Sequence, residues 1–153
     1  WNILVEEQDT VYAARAGLVV KVNDGNISQV VYDGYIQSKN SIFIEHKDGT
    51  IAQYFFIDDG SSLVHEGQYV TPRTAIALAG HYDSYNYRVG IVLIKPEYDK
   101  AGKKLVNKNI PMLFRTNEGD VYLESNKSYK PVISDELITA EMSKKEKARY
   151  YKK

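Results

Sequence analysis

The sequence has 153 residues, with 20 Lys and Arg against 20 Asp and Glu, so its formal net charge at pH 7 is zero. This length allows one domain with a sizeable core, and the charge balance excludes a nucleic-acid or membrane binder driven by a field of the whole molecule. There is no cysteine, which excludes disulfides, zinc–thiolate sites and thiol catalysis. No apolar run reaches the length of a membrane-spanning helix.

Most of the chain has the two-residue period of β-strands, and Gly, Asn and Asp mark the turns between them. Asp48-Gly49 lies between two alternating runs, which is the strongest short signal for a hairpin. In chain order, we predict a strand over 18–22, a turn over 23–26, an interrupted strand over 28–37, a hairpin over 41–57, short strands over 67–70 and 74–79, a central strand over 88–94 that ends at Pro96, and edge strands over 106–116 and 121–123. Short strands with regular turns predict an all-β sandwich or barrel.

One helix is predicted, over 135–151. Leu137, Ile138 and Met142 form a thin apolar stripe, and Ser134 is a candidate N-cap. The end of this segment is basic, because residues 144–153 contain six Lys or Arg and one Glu. This pattern favours an exposed helix that frays at its end.

Four segments follow one another in a telling order: VYAARAGLVVKV, NSIFIEHKDGTIAQYFFI, VHEGQYVTPRTAIALAG and YRVGIVLIKP. This series, over residues 1–96, resembles the lysostaphin/LytM family of peptidoglycan endopeptidases. The resemblance implies a LytM-like β-sandwich or barrel-sandwich hybrid core with a substrate groove on one face, followed by a short C-terminal helix. The later IPMLFRTNEGDVYLESNKSYKP resembles an extension of Gram-negative members. We therefore expect a LytM-like domain over 1–133 (core 1–96, extension 97–133) and a basic helix or tail over 134–153.

The chemistry of this family needs a zinc ion held by His, Asp and His, which polarises the peptide carbonyl and activates water. By motif, the family's Asp falls on Asn2 and the His of Y-x-H-L falls on Phe56. The H-x-H pair falls on Arg88 and Gly90, and the family's first His would fall about four residues before Asn2, outside the sequence. Asn is a poor zinc ligand, Arg does not deprotonate, and Gly has no side chain. The resemblance thus implies a degenerate member without zinc or another cofactor, and not an active enzyme.

The old groove is a candidate binding surface. Phe56 is predicted to fill it with apolar bulk, beside other aromatic residues. Arg88 has two interpretations: its guanidinium restores positive charge in the lost metal site, or its side chain points to solvent. The candidate groove residues are Tyr54, His81, Tyr82, Asp83, Tyr85, Tyr87 and Arg88.

The histidines give little support for a new metal site. His46 is expected to be structural or exposed, and His65 is expected to be exposed in a loop. His81 with Asp83 lacks a third ligand, so a new site there is disfavoured. A biotinyl or lipoyl carrier is also disfavoured, because Lys47 lacks the flanking Met residues of those domains.

The expected function is a catalytically inactive LytM-like domain of the bacterial envelope, in the periplasm or another extracytoplasmic place, with no nucleic-acid partner. It would regulate peptidoglycan remodelling or envelope assembly by binding an envelope protein or a wall hydrolase. Two alternatives stay open: a peptidoglycan-binding module that uses the old groove, and a zinc-dependent endopeptidase with an altered site. The basic tail either packs its stripe on the sheet or a partner, or contacts anionic wall polymer or a membrane surface.

Overall fold

The computed structural model describes residues 2–25, 31–32, 35–36, 40–81 and 86–152. The chain forms two compact units, 1–110 and 111–153. In the described part of the first unit, the strands are β1 (Asn2–Val5), β2 (Thr10–Tyr12), β3 (Gly17–Asn23), β4 (Val31–Tyr32), β5 (Tyr35–Ile36), β6 (Ser41–Glu45), β7 (Ile51–Phe55), β8 (Tyr69–Val70), β9 (Ala75–Leu78), β10 (Gly80–His81), β11 (Tyr87–Asp99) and β12 (Lys104–Asn109). The second unit contains β13 (Phe114–Thr116), β14 (Gly119–Val121), α1 (Asp135–Thr139) and α2 (Lys144–Tyr150). The all-β class is therefore confirmed.

Eight strands of the first unit form one antiparallel sheet around β11. Six follow the order β1-β11-β7-β6-β3-β8, and β10 and β12 also pair with β11. Gly90 pairs with Asn2 of β1 and with Phe55 of β7, so these two strands flank β11. The apolar run over 88–94 is thus the central strand that the sequence predicts.

The β11–β12 pairing occupies the same edge of β11 as β1. Ile94 pairs with Ile51 of β7 and with Asn109 of β12, so β12 lies opposite β7. Because β1 also lies opposite β7, β1 and β12 follow one another along one edge of β11. This arrangement places the hairpin of β11 and β12 beyond the end of β7.

The hydrophobic core lies on one face of the large sheet. Ile44 and Tyr54 are 0% and 2% exposed, and Val11 of β2 and Ile76 of β9 are 5% and 0% exposed. Strands β2 and β9 pair with each other in a separate two-stranded sheet. The Tyr54 hydroxyl accepts a hydrogen bond from the Ala14 N–H at 2.9 Å, which ties the segment after β2 to the core face of the large sheet.

The predicted hairpin over 41–57 is confirmed as β6 and β7. Gly49 has a φ of 76°, which glycine adopts without the strain of a side chain. The Asp48 carboxylate accepts hydrogen bonds from the Thr50 N–H and hydroxyl at 3.0 and 2.6 Å. His46 is 4% exposed and its Nδ1 lies 2.9 Å from the Ala16 carbonyl oxygen, so its structural role is confirmed.

The central strand continues past Pro96, where the sequence predicted its end, to Asp99. The Ile110 N–H donates to the Leu93 carbonyl at 2.8 Å, which sets the alternation of this ladder. Pro96 and Asn107 then form a pair that exchanges no hydrogen bonds. The missing N–H of proline therefore removes no bond to β12, and β7 has already ended on the other edge.

The predicted edge strand over 106–116 is two strands, β12 and β13, with Pro111 in the connection. This connection is also the boundary between the two units. The sequence-based division instead places its boundaries after residues 96 and 133. The interrupted strand over 28–37 lies largely outside the described residues, of which β4 and β5 form an antiparallel pair.

The single helix predicted over 135–151 is two short helices. Ser134 caps α1 as predicted, by accepting a hydrogen bond from the Leu137 N–H. Ser143 begins α2 with a capping box, in which its side chain and that of Glu146 each accept a bond from the other's backbone. This second start signal divides the predicted helix. Among the described residues, no helix has the length and apolar character needed to cross a membrane.

Candidate functional site

The face of the sheet opposite the core brings the predicted metal positions together. Asn2 and Gly90 are direct cross-strand partners. Arg88 lies two residues before Gly90, so both project from the same face of β11. Phe56 follows Phe55, the partner of Gly90 in β7. The four positions therefore lie close together around the first half of β11.

The ring of Phe55 occupies the space above Gly90. A β-carbon on Gly90 would lie 2.2 Å from Cε2 and 2.3 Å from Cζ of Phe55, far inside van der Waals contact. The sequence predicted Phe56 as the residue that fills the groove. In the structure Phe55 covers Gly90, and Phe56 packs against Phe55 with ring centroids 4.8 Å apart. Strand alternation contains this signal, because the buried Tyr54 assigns Phe55 to the opposite face.

Phe56 has a left-handed backbone at the end of β7. Its φ is 61°, a region that costs a residue with a side chain about 1–2 kcal/mol. Its carbonyl accepts a hydrogen bond from the Gly80 N–H at 2.7 Å. Gly80 pairs with Arg88, so β10 replaces β7 as the neighbour of β11 at this point. The strained residue thus marks the change of neighbouring strand.

The residues of this face do not fit the zinc ion that lysostaphin/LytM endopeptidases use. Asn2 offers a neutral amide, Gly90 offers no side chain, and the Phe55 ring fills the space a ligand at position 90 would need. Zinc sites in proteins use His, Asp, Glu or Cys side chains. Within residues 2–25, 40–81 and 86–152, no three such side chains converge in a group that could hold a metal. We therefore assign no metal-dependent step to this face.

A second group of polar side chains lies at the start of β11. The rings of Tyr87 and His81 are in contact, with centroids 4.2 Å apart and planes tilted by 38°. The Tyr87 hydroxyl donates a hydrogen bond to the Glu7 carboxylate, and the charge of Asp58 also acts on it. Partial burial, the bond to Glu7 and these two negative charges all raise the pKa of Tyr87. An aromatic pair beside two carboxylates is suited to bind a cationic or amine-bearing group.

Sequence reasoning identified Tyr87 and His81 but missed Glu7 and Asp58. Glu7 reaches the site because β1 pairs with β11, with Val5 opposite Tyr87. That pairing joins segments about eighty residues apart, and no local pattern of a single sequence reveals it.

The other candidate groove residues have different surroundings. Arg88 is half-buried with its Nε inaccessible to solvent, so it is not a fully solvated side chain. Tyr54 points into the core, where burial raises its pKa to about 12, and it does not line the face of Arg88 and Gly90. The predicted residues that lie outside the described part of the chain are Tyr82, Asp83 and Tyr85.

No protein-family model matches this chain, and no curated protein matches its sequence. Among solved structures, it is similar to the catalytic domain of the antimicrobial peptidase lysostaphin from Staphylococcus simulans, with 15% identity, 71% of each chain covered and a TM-score of 0.50. A second lysostaphin structure from that species matches with 15% identity over 71% of this chain and 40% of that chain, with a TM-score of 0.49. The catalytic domain of a mutant prophage-encoded M23 protein from Enterococcus faecalis matches with 18% identity over 69% and 72% of the two chains, with a TM-score of 0.48. At this identity the likeness shows the fold alone, and the chain has the all-β, LytM-like fold of lysostaphin-type catalytic domains.

Proposed function

We propose that this chain is a catalytically inactive LytM-like domain of the bacterial cell envelope. It acts as a regulatory or protein-interaction module in peptidoglycan remodelling or envelope assembly, outside the cytoplasm. Its partner is an envelope protein or a wall hydrolase. One observation carries this proposal: the Phe55 ring lies above Gly90, whose cross-strand partner is Asn2. A metal site on this face would need ligands at positions 2 and 90.

The chemistry of peptide hydrolysis supports this proposal. Hydrolysis at neutral pH needs an activated water or an activated nucleophile, which a bound metal or an adjacent base provides. The face around Gly90 carries aromatic rings, an amide and a guanidinium, none of which activates water at neutral pH. The strand β11 is nevertheless paired with other strands on both of its edges, as the surface that would hold a substrate needs. A retained scaffold without ligands suits a protein that binds and does not cleave.

Zinc analysis and a wall-digestion assay test this proposal. The purified chain is incubated with excess zinc, dialysed, and its metal content is measured by mass spectrometry. Release of soluble fragments from purified peptidoglycan is measured in parallel, with the lysostaphin catalytic domain as the active control. We expect far less than one zinc per chain and no release above buffer. One tightly bound zinc per chain together with wall digestion would overturn the proposal and support the altered endopeptidase.

Sedimentation with insoluble peptidoglycan separates the two inactive functions. A protein-interaction module stays in the supernatant, and a wall-binding module sediments with the polymer. The variants Glu7→Gln and Asp58→Asn test whether the Tyr87–His81 group is responsible for any binding, with Asp59→Asn as the matched control. If the chain sediments with peptidoglycan and both Glu7→Gln and Asp58→Asn abolish this sedimentation, peptidoglycan binding would replace protein interaction as the proposed function.

A further inference from the structure

The outer edge of β12 has hydrogen-bonding groups that face away from the sheet. The bond from the Ile110 N–H to the Leu93 carbonyl shows which residues of this ladder bond across to β11. In an antiparallel ladder the direction of the backbone groups alternates, so Leu105, Asn107 and Asn109 point theirs to the outer edge. In the described part of the chain, β11 is the only strand that pairs with β12. The edge is therefore open to another strand.

Two large apolar side chains lie exposed beside this edge. Tyr98 and Leu105 are direct cross-strand partners and are 60% and 72% exposed. Their pair exchanges no backbone hydrogen bonds, a geometry that brings the two side chains close together. Pro96 lies on the same face of β11, two residues away, and is also exposed. This face of the hairpin can bury an apolar side chain of an added strand.

The opposite face of the hairpin carries positive charge. The charged residues of this face are Lys95, Glu97, Asp99, Lys104 and Lys108, with a net charge of +1, and Lys100 and Lys103 in the turn raise the net charge of residues 95–109 to +3. Lys104 lies opposite Asp99, which balances it. Lys108 lies opposite Lys95, and like charges in such a pair repel each other. An acidic residue on the outer side of Lys108 would relieve this repulsion.

A second copy of this chain fits the edge poorly. Pairing two copies of β12 antiparallel about Val106 would place Lys104 opposite Lys108 twice. The neighbouring registers are shifted by two residues, because outward-pointing residues pair only with each other, and they place Leu105 or Asn107 opposite itself. In each of these registers two edges that both carry a net charge of +3 over residues 95–109 lie side by side. Lysines on an exposed edge thus act against self-association. The charge and the apolar pair favour a different chain with acidic and apolar residues at alternate positions.

We propose that the outer edge of β12 binds an extended acidic segment of a partner protein as an added strand. An apolar residue of that segment packs on Leu105 and Tyr98, and an acidic residue lies beside Lys108. Backbone hydrogen bonds to Leu105, Asn107 and Asn109 hold the segment in place, as in other cases of strand addition. The inference goes beyond the proposed function, because it does not depend on whether the chain binds zinc or cleaves peptides.

A capped six-residue peptide that alternates Glu and Val is the probe. Binding to the full chain is measured by nuclear magnetic resonance titration, with a Lys–Val peptide of the same length for comparison. We expect the Glu peptide to bind about tenfold more tightly than the Lys peptide, because attraction at Lys108 replaces repulsion. The amide hydrogens of Leu105, Asn107 and Asn109 should exchange more slowly in the complex, and those of Lys104 and Val106 should change little.

Three controls separate strand addition from simple charge attraction. Lys108→Glu should weaken binding of the Glu peptide about fivefold and strengthen binding of the Lys peptide. Lys100→Glu, in the adjacent turn, should change neither affinity by more than about twofold. Leu105→Thr should weaken binding of the Glu peptide while β12 itself stays formed. N-methylation of alternate peptide residues should abolish binding. Equal affinity for both peptides, equal losses at Lys100 and Lys108, or no protection at Leu105 would overturn the inference.

Discussion

The Phe55 ring lies directly over the backbone of Gly90, so close that a single added methyl group would be 2.2 Å from the ring. The two residues are cross-strand partners in β7 and β11. Glycine and phenylalanine therefore form a complementary pair, in which the absence of a side chain on one strand accommodates the ring on the other. The contact lies at the position where the sequence motif predicts the second His of the H-x-H pair, so the ring fills the space that a side chain at position 90 would need.

Gly90→Ala should destabilise the chain through this contact. We expect a loss of about 1–3 kcal/mol in the free energy of unfolding, because the new methyl group displaces the Phe55 ring. In a Phe55→Ala background the same change should cost less than about 1 kcal/mol. Denaturant unfolding of the four proteins measures the coupling. Equal effects of Gly90→Ala in both backgrounds would show that the ring does not limit this position.

Phe56→Gly should be more stable than Phe56→Ala. Both variants lose the contact with the Phe55 ring, but only glycine relieves the left-handed backbone at φ 61°. We expect the glycine variant to exceed the alanine variant by about 1 kcal/mol in thermal or denaturant unfolding. The matched comparison is at Gln53, in the regular part of β7. There the glycine variant should be less stable than the alanine variant, since glycine weakens a strand.

The sequence predicts much of the sheet because local signals mark its strands. Asp48-Gly49 predicts the β6–β7 hairpin, and the apolar run over 88–94 predicts the central strand. Two of the errors also have local causes. Pro96 lies in a pair without hydrogen bonds and so does not end β11, and Ser143 starts a second helix within a segment that looks continuous.

The candidate site is harder to predict, because register brings its parts together. The motif order places Asn2 and Gly90 at related positions, and the structure makes them direct partners. The choice between Phe55 and Phe56 depends on which face of β7 each residue occupies. Alternation from the buried Tyr54 places Phe55 on the face of Gly90, whereas the sequence motif directs attention to Phe56. Glu7 reaches Tyr87 only through the pairing of β1 with β11.

Acid should weaken the hairpin turn through Asp48. Hydrogen bonds from Thr50 and the charge of Arg15 lower the pKa of Asp48 from 3.8 to about 2. Because the folded-state pKa lies below the unfolded value, the stabilisation is complete above about pH 4 and is lost as pH falls through about 2.

Asp48→Asn should therefore reduce the fall in stability between pH 4 and pH 2, and Thr50→Val should shift the titration of Asp48 upward. Unfolding curves at several pH values and carboxylate resonances measure the two effects. Asp59→Asn is the matched control at an exposed position. An unchanged pH dependence in Asp48→Asn would contradict the assignment.

Glu7→Gln should lower the pKa of Tyr87. Partial burial raises that pKa, and the hydrogen bond to the Glu7 carboxylate raises it further, because a phenolate would lose the bond and face two negative charges. With a neutral amide at position 7, the phenolate forms more easily, so the titration midpoint should move toward the ordinary value near 10. Specific labelling of tyrosine and titration from pH 8 to pH 12 resolves Tyr87 from the other twelve tyrosines of the thirteen. Glu6→Gln, one residue earlier in the same turn, is the matched control and should leave the Tyr87 midpoint in place; equal shifts in both variants would show that net charge and not the hydrogen bond sets this pKa.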